Sequence, residues 1–296
     1  MTKEGDQVAV DANPPARQRW ISLPLYIGAI LVASGAAHLA WLVATNAAWE
    51  GPLSPRKPAL FGLSAGVTVW SIVWVLTKLH PQPWDRLFAG AMAGGLLAEV
   101  SLITLQYWRG VPSHFNRSTF FDTTLETSML ALIVAVTVGI FWLSWRSLRL
   151  PPIEKAFAVA LRGGLWLLTI SCVLGIGVTI LGEMNLAEGK PPEIWGPAGV
   201  LKYPHGVALH AIQTLPLLAW LLVRLRAPDG ARVVRAAVWA HVFLLGAALW
   251  QTLRGRARFD GDWLGLTLYG LAGLVILAAV ASSRRMRSNR YSSDRP

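Results

Sequence analysis

The sequence predicts an all-α integral membrane protein with about eight transmembrane helices, because it is poor in charge and rich in long apolar runs. Of the 296 residues, 54% are hydrophobic and 15% are charged, whereas a soluble domain carries about 25% charged residues. The mean hydropathy is +0.46. Runs long enough to cross the roughly 30 Å hydrocarbon layer as helices alternate with polar segments too short for a water-soluble domain.

Clusters of proline and charged residues mark the breaks between the apolar runs. The predicted spans are 22–45, 59–79, 87–108, 121–145, 163–183, 205–223, 233–253 and 263–283. Residues 1–21 are predicted as an N-terminal tail and 284–296 as a basic C-terminal tail. Between the tails, helices 1–4 occupy residues 22–145 and helices 5–8 occupy residues 146–283.

A weak internal similarity relates the two groups of helices at an offset of 145 residues. The third span ends in QYWRG at 106–110, and the seventh ends in QTLRG at 251–255. A lysine also precedes a proline before the second span, at 57–58, and before the sixth, at 202–204. Four spans per unit would give two parallel four-helix repeats. Coincidence is the alternative, because arginine and glycine are common at helix ends.

The distribution of basic residues predicts the orientation in the membrane. With the N-terminus inside, the cytoplasmic segments hold 18 Lys and Arg residues and the outer loops hold 9. Basic residues favour the cytoplasmic side, so both termini are expected there. This bias also accounts for the net charge of +11, so nucleic-acid binding is not expected. Abundant arginine and alanine favour a bacterial protein of the cytoplasmic membrane.

Polar residues within the spans concentrate in the outer half of the predicted bundle, which indicates a polar cavity open to the extracytoplasmic side. Each ionisable group inside a span costs roughly 2.5–3.5 kcal/mol, so such groups usually have a function. The candidates for catalytic roles are Glu99, Arg109, His114, Asp122, Glu126 and Glu183. The candidates for substrate contacts are Gln106, Asn116, His205, Gln213, Gln251 and Arg254.

The outer segment 109–122 combines a guanidinium, an imidazole, an amide and a carboxylate over the predicted cavity. In a functional interpretation, Arg109, His114 and Asp122 contact a ligand or transfer protons. In a structural interpretation, Thr119 and Asp122 cap the fourth span, while Arg109 and Asn116 bond to loop carbonyls. The sequence leaves both interpretations open.

Three histidines within the spans are candidate ligands of a cofactor. Two of them on different helices could hold haem b, for example His210 with His38 or with His241. The same imidazoles could instead bind Zn²⁺, Cu²⁺ or non-haem iron together with Glu99, Asp122 or Glu183. The alternative is that each histidine forms a hydrogen bond between helices. Pro216 is expected to kink the sixth span.

These observations favour a membrane enzyme with an outward-facing site for a small or lipophilic molecule. The enzyme would catalyse a redox reaction that depends on haem or a metal, or another reaction. One alternative is a small-molecule or proton-coupled transporter, or a ligand-binding protein, that uses the same groups. Another is a structural subunit of a membrane complex. The apolar inner half favours a one-sided site. The expected partners are the lipid bilayer and the small molecule, and the oligomeric state is left open.

Two segments carry a resemblance to known proteins. WRGVPSHFN at 108–116 and HAIQTLP at 210–216 look like strings in a group of uncharacterised bacterial multi-pass membrane proteins, a resemblance that covers most of the chain and implies no activity. The four-plus-four organisation is also similar to that of haem A synthases. The chain lacks their Glu-x-x-His pattern and outer cysteine pair, since Cys172 is its single cysteine. No functional residue is therefore transferred from them.

Overall fold

The structure is a computed structural model that describes residues 14–293 except 228 and 259. Within these residues the chain forms nine α-helices: α1 (Pro14–Ala44), α2 (Arg56–Lys78), α3 (Asp85–Trp108), α4 (Phe120–Arg146), α5 (Lys155–Ala187), α6 (Lys202–Leu209), α7 (Ala211–Arg224), α8 (Gly230–Leu253) and α9 (Trp263–Ser293). A short 3-10 helix, Ser147–Arg149, follows α4. An antiparallel hairpin of β1 (Ile194–Trp195) and β2 (Gly199–Val200) precedes α6. The predicted tail residues 1–13 and 294–296 lie outside this description.

Seven helical segments are long and apolar enough to cross a membrane, with α6 and α7 together counting as one of them. The protein is therefore an all-α multi-pass membrane protein, as the sequence predicts. The apolar part of α9 found in the described residues, Trp263–Ala279, is shorter than the seven. The eighth span stays a prediction.

Several helices extend beyond the predicted spans. Helix α1 begins at Pro14 and α9 continues to Ser293, so parts of both predicted tails are helical. Helix α5 begins at Lys155 rather than at 163. The Glu154 carboxylate explains this early start, because it accepts hydrogen bonds from the backbone N–H groups of Ala156 and Phe157 and so caps the helix. Hydropathy alone misses such a polar first turn.

The predicted sixth span is divided at His210, whereas the sequence placed its irregularity at Pro216. His210 ends α6 and precedes α7, with φ −92° and ψ 8°. Its carbonyl accepts bonds from the backbone N–H groups of Gln213 and Thr214, at 3.1 and 3.0 Å. Pro216 lies inside α7. Pro216 lacks the N–H that would donate to the carbonyl of Ile212, whereas the break lies at His210, six residues before the proline.

Close contact of two glycine pairs, Gly35 with Gly62 and Gly28 with Gly66, joins α1 to α2. A β-carbon at Gly62 would lie 2.9 Å from the backbone of Gly35 and 2.9 Å from the carbonyl oxygen of Leu31. The two helix backbones can approach this closely only without side chains at the crossing, as in small-residue packing of membrane helices.

The helices α1, α3, α5 and α8 all end at one end of the bundle, which carries the loops 45–55, 109–119, 188–201 and 254–262. We call it the His114 end. At the opposite end, Arg146 pairs with Asp85 at 2.5 Å and donates to the carbonyl of His80 at 2.6 Å. These bonds fix the turn between α2 and α3 against the end of α4.

Candidate functional site

A cavity of about 640 Å³ lies between the first and second groups of helices and opens at the His114 end. Helices α2 to α6 all contribute side chains to its wall. Its deeper wall is apolar and includes Leu96, Val136, Ile140 and Leu168. Cavities of about 300–1,000 Å³ are typical of small-molecule sites. The size and the apolar interior therefore suit a lipophilic ligand.

Basic side chains surround the mouth of this cavity. Lys57 lies in the first turn of α2 and Lys202 in the first turn of α6. The carboxylate of Glu193 lies between them, 3.7 Å from Lys57 Nζ and 2.5 Å from Lys202 Nζ. Arg258, from the loop after α8, also lines the cavity. Among the residues whose side chains the structure describes, none forms an ion pair or hydrogen bond with the Arg258 side chain. Three cations thus face one carboxylate.

The hairpin before α6 holds Glu193 at the mouth. The backbone N–H of Leu201 donates to the carbonyl of Glu193 at 3.1 Å, and the Asn185 amide donates to the carbonyl of Ile194 at 2.7 Å. The far side of the hairpin is fixed by Ala198, whose N–H donates to the carbonyl of Gly255 at 2.9 Å. Both the end of α5 and the loop after α8 therefore position this carboxylate.

His114 enters the cavity from the loop between α3 and α4, where it contacts the ring of Phe61 at a centroid distance of 5.8 Å. Burial, with a smaller contribution from the charge of Lys57, lowers the pKa of His114 to about 4, while Glu193 acts in the opposite direction. Burial raises the pKa of Glu193, but the hydrogen bond and charge of Lys202, with the charge of Lys57, outweigh burial and lower it. At neutral pH the mouth therefore holds an uncharged imidazole and an ionised carboxylate.

Among the described residues, Glu99 is the one acidic side chain in the transmembrane part of the cavity wall, and it is only 6% exposed. Its Oε2 is buried without a hydrogen-bond partner, and among the residues that the structure describes no cation pairs with it. A buried polar group of this kind costs stability unless a ligand or water completes its bonds. Glu99 is therefore placed to contact whatever occupies the cavity.

His205 also lines the cavity, but its ring is fixed by the protein. Its Nδ1–H donates to the carbonyl of Ser171 at 2.8 Å, and the Ser171 hydroxyl donates to the carbonyl of His205 at 2.8 Å. This reciprocal pair ties α6 to α5. Only Nε2 of His205 is left for a ligand.

Gln106, Arg109 and Asp122 form a separate polar network behind the His114 loop. Asp122 is 2% exposed and accepts from the Gln106 amide at 3.0 Å and from Arg109 at 2.7 Å. Arg109 also donates to the amide oxygen of Gln106. Thr119 caps α4 by accepting from the N–H of Asp122, and Asn116 donates to the carbonyl of Pro112 at 3.3 Å. The capping expected in the structural interpretation is present, but Arg109 donates to side-chain oxygens of Gln106 and Asp122 rather than to loop carbonyls. This network positions the loop.

Glu126 and Glu183 share a third cluster with Arg117. The Arg117 Nε lies 3.0 Å from Glu183 and 3.6 Å from Glu126, and the Phe115 N–H donates to Glu126 at 2.7 Å. One oxygen of each carboxylate is buried without a hydrogen-bond partner. Because Phe115 lines the cavity, this cluster supports its wall from behind.

Gln251 and Arg254 occupy the equivalent end of α8. Gln251 is 1% exposed and donates to the carbonyl of Asp260 at 2.5 Å, while Arg254 stacks on the Trp250 ring with its guanidinium 4.6 Å from the centroid. The carbonyls of Gln106 and Gln251 both accept from the N–H five residues later, at 3.1 and 2.9 Å. Gly110 and Gly255 make these matching turns possible with φ of +72° and +66°.

The three histidines proposed as cofactor ligands form separate contacts outside this cavity wall. His38 donates from Nδ1 to the Ser34 carbonyl at 2.8 Å and accepts from the Trp108 indole at 3.1 Å. His241 donates from Nδ1 to the Ala237 carbonyl at 2.8 Å.

The other side of His241 faces α7. Its Nε2 lies 3.3 Å from the Thr214 hydroxyl, which itself bonds to the carbonyl of the exposed His210. Both amide atoms of Gln213 are buried without a partner. In the described part of the chain, no three His, Cys, Asp or Glu residues are grouped so that they could hold a metal ion.

Five charged residues at the cavity mouth were not among the sequence candidates, which came from the spans, their ends and the segment 109–122. They are Arg56, Lys57, Glu193, Lys202 and Arg258. The signal for two of them was present, because the internal similarity puts Lys57 and Lys202 before equivalent prolines.

No protein-family model, no curated protein and no solved structure matches this chain.

Proposed function

We propose that this protein binds a lipophilic small molecule in the cavity, with the polar end of the molecule at the mouth and its apolar part between α3, α4 and α5. The observation that carries the proposal is the combination of a charged mouth, an apolar interior and the unpartnered carboxyl of Glu99 in one space of about 640 Å³.

Glu99 and His114 are the groups that would act on the bound molecule. An ionised carboxylate without a cation is strongly disfavoured inside a bilayer, so Glu99 would donate a hydrogen bond or proton. His114 is uncharged at neutral pH because its pKa is about 4, so its imidazole can accept one. This pair supports an enzyme that transfers protons on its ligand.

The cavity geometry favours a one-sided site over a transport path. Beyond Ile140 and Leu168, the same helices continue into a tightly packed apolar core that includes Leu76, Leu143 and Leu165, which are 0–2% exposed. We further place the His114 end on the extracytoplasmic side of a bacterial cytoplasmic membrane, on the basis of the two-to-one excess of basic residues at the other end.

The contacts of the histidines give no support to haem or a transition metal as the cofactor. A metal at His38 would have to displace the Trp108 indole, and one at His241 would approach the Thr214 hydroxyl. The matching turns after Gln106 and Gln251 do support two parallel repeats, whose junction would form the cavity.

The test is ligand binding by the full chain reconstituted in lipid nanodiscs, measured by native mass spectrometry with dodecanol and dodecyl phosphate as probes. We expect one molecule of at least one probe to bind saturably to the wild type. Ser64→Phe should abolish binding, because Ser64 lines the cavity. Ser71→Phe is the matched control, since Ser71 lies one heptad further along α2 and donates to its own helix at Val67. Equal retention of both probes by wild type and Ser64→Phe would refute the proposal.

A further inference from the structure

We infer that the ligand is a phosphate ester with an apolar chain, and that Lys57, Lys202 and Arg258 bind its phosphate group. This inference rests on the proposed function and specifies the chemical class of the molecule. It follows from the charges at the mouth, from the direction of two helices and from the depth of the cavity.

The charges at the mouth leave a positive excess. Lys57 and Lys202 share the single carboxylate of Glu193, and no ion pair of Arg258 lies within the described residues. Arg56, which also lines the mouth, is neutralised by Glu50 at 2.9 Å. Three cations facing one carboxylate would be balanced by a ligand with about two negative charges, the charge that a phosphate monoester carries near neutral pH.

The anion would replace Glu193 as the partner of the two lysines. Glu193 is 35% exposed and comes from a hairpin, whereas the Lys57 side chain is only 16% exposed. The weak 3.7 Å contact between these two residues leaves room for a better acceptor on Lys57. A phosphate offers several oxygens to several donors at once, so it can bond to both lysines and to Arg258.

Two helix N-termini add to the positive potential. Helix α2 begins at Arg56 and α6 at Lys202, and both starts line the mouth. The first N–H groups of α2 already donate within the protein, that of Arg56 to the Ser54 hydroxyl and that of Lys57 to the Ser54 carbonyl, both at 3.2 Å, so α2 contributes its dipole rather than free donors. Aligned peptide dipoles place partial positive charge there and favour an anion.

The rest of the cavity indicates that the anion carries an apolar chain. The cavity continues from the mouth to Ile140 and Leu168, far deeper than a free phosphate would need. The nine-tenths buried Glu99 lies along this path, with one carboxyl oxygen unpartnered. It would meet the part of the ligand that follows the phosphate.

The experiment compares head groups on one chain in the nanodisc-embedded protein. Native mass spectrometry gives the apparent affinities of dodecyl phosphate, dodecanol, dodecyltrimethylammonium and inorganic phosphate. We expect dodecyl phosphate to bind at least about tenfold more tightly than dodecanol, and more weakly as salt is raised. Lys57→Gln and Lys202→Gln should each weaken dodecyl phosphate binding about tenfold and leave dodecanol binding unchanged.

The matched control is Lys190→Gln. Lys190 lies on the same loop as Glu193 but is 63% exposed and pairs with Glu188, so this change should leave all affinities as in the wild type. Retained dodecanol binding shows that each lysine variant is folded. Equal binding of phosphate and alcohol, insensitive to both lysines, would overturn the phosphate inference and leave the proposed function standing. If neither dodecyl phosphate nor dodecanol bound to the wild type, the proposed function would be refuted. If inorganic phosphate bound as tightly as dodecyl phosphate, the site would be one for the free anion, and the inference that the ligand carries an apolar chain would be wrong.

Discussion

Replacing Glu99 by leucine is predicted to stabilise the protein. Glu99 is 6% exposed, and its Oε2 has no hydrogen-bond partner in the described structure. Burial of an unpartnered polar group costs about 1–3 kcal/mol in proteins. Leucine has a similar volume and removes this cost, so Glu99→Leu should raise the free energy of unfolding by about 1–3 kcal/mol.

Glu126→Leu is the matched comparison and should have the opposite sign. Glu126 is 5% exposed, but it accepts from the Phe115 N–H at 2.7 Å and lies 3.6 Å from Arg117. Its removal leaves a backbone donor unpaired, which costs about 1–3 kcal/mol. One oxygen of Glu126 is also unpartnered, but its replacement would lose the Phe115 bond and the Arg117 ion pair, whereas Glu99 has neither kind of partner. The two replacements should therefore change the free energy of unfolding in opposite directions.

The free energy of unfolding of each variant would be measured by steric trapping of the protein reconstituted in bicelles. A residue that serves a ligand rather than the fold should behave as we predict for Glu99. If Glu99→Leu destabilised the protein as much as Glu126→Leu, Glu99 would be a structural residue and its place in the proposed site would be wrong.

Two further predictions concern protonation and helix packing. The pKa of His114, followed by NMR of its imidazole, should be about 4 and should rise in Lys57→Gln, because the lysine charge lowers it; no rise would contradict the geometry of the mouth. The folded-state pKa lies below the unfolded value of 6.5, so the stability that the neutral His114 contributes should fall as pH drops from 6.5 to 4. Gly62→Ala should destabilise the protein by about 1–3 kcal/mol, because its β-carbon would lie 2.9 Å from Gly35. Gly94→Ala, with open space around it, should be neutral or slightly stabilising in the same unfolding measurement.

Much of the fold could be predicted because bilayer thickness imposes a length and an apolar composition on each span. Seven of the expected segments are long and apolar enough to cross a membrane. The break at His210 could not be predicted in this way, since it depends on hydrogen bonds around that residue and not on hydropathy. The start of α5 at Lys155 depends likewise on a cap by Glu154.

The sequence predicted the location of the candidate site but not which polar residues line it. The sequence drew attention to polar groups at one end of the bundle, and Glu99, His114 and His205 do line one cavity there. It did not separate them from Gln106 and Asp122, which bond to each other behind the loop. That distinction depends on how each helix is rotated about its axis.

The basic mouth was missed because its members come from distant segments. Lys57, Glu193 and Lys202 meet only after the hairpin docks on the end of α8. No local pattern around Glu193 marks it as a partner of two lysines. The shared lysine–proline pattern of the two helix starts was the one feature from which their equivalence could be inferred.

The central claim is that a lipophilic chain occupies the interior of this cavity, and photo-crosslinking tests it most directly. A dodecyl phosphate analogue with a diazirine at the end of its chain would be irradiated with the reconstituted protein, and the adducts mapped by mass spectrometry. We predict adducts at Val136, Ile140 or Leu168, which line the deep wall. Adducts confined to outward-facing side chains of the same helices, such as Val138 and Val173, which are 63% and 57% exposed, would contradict it.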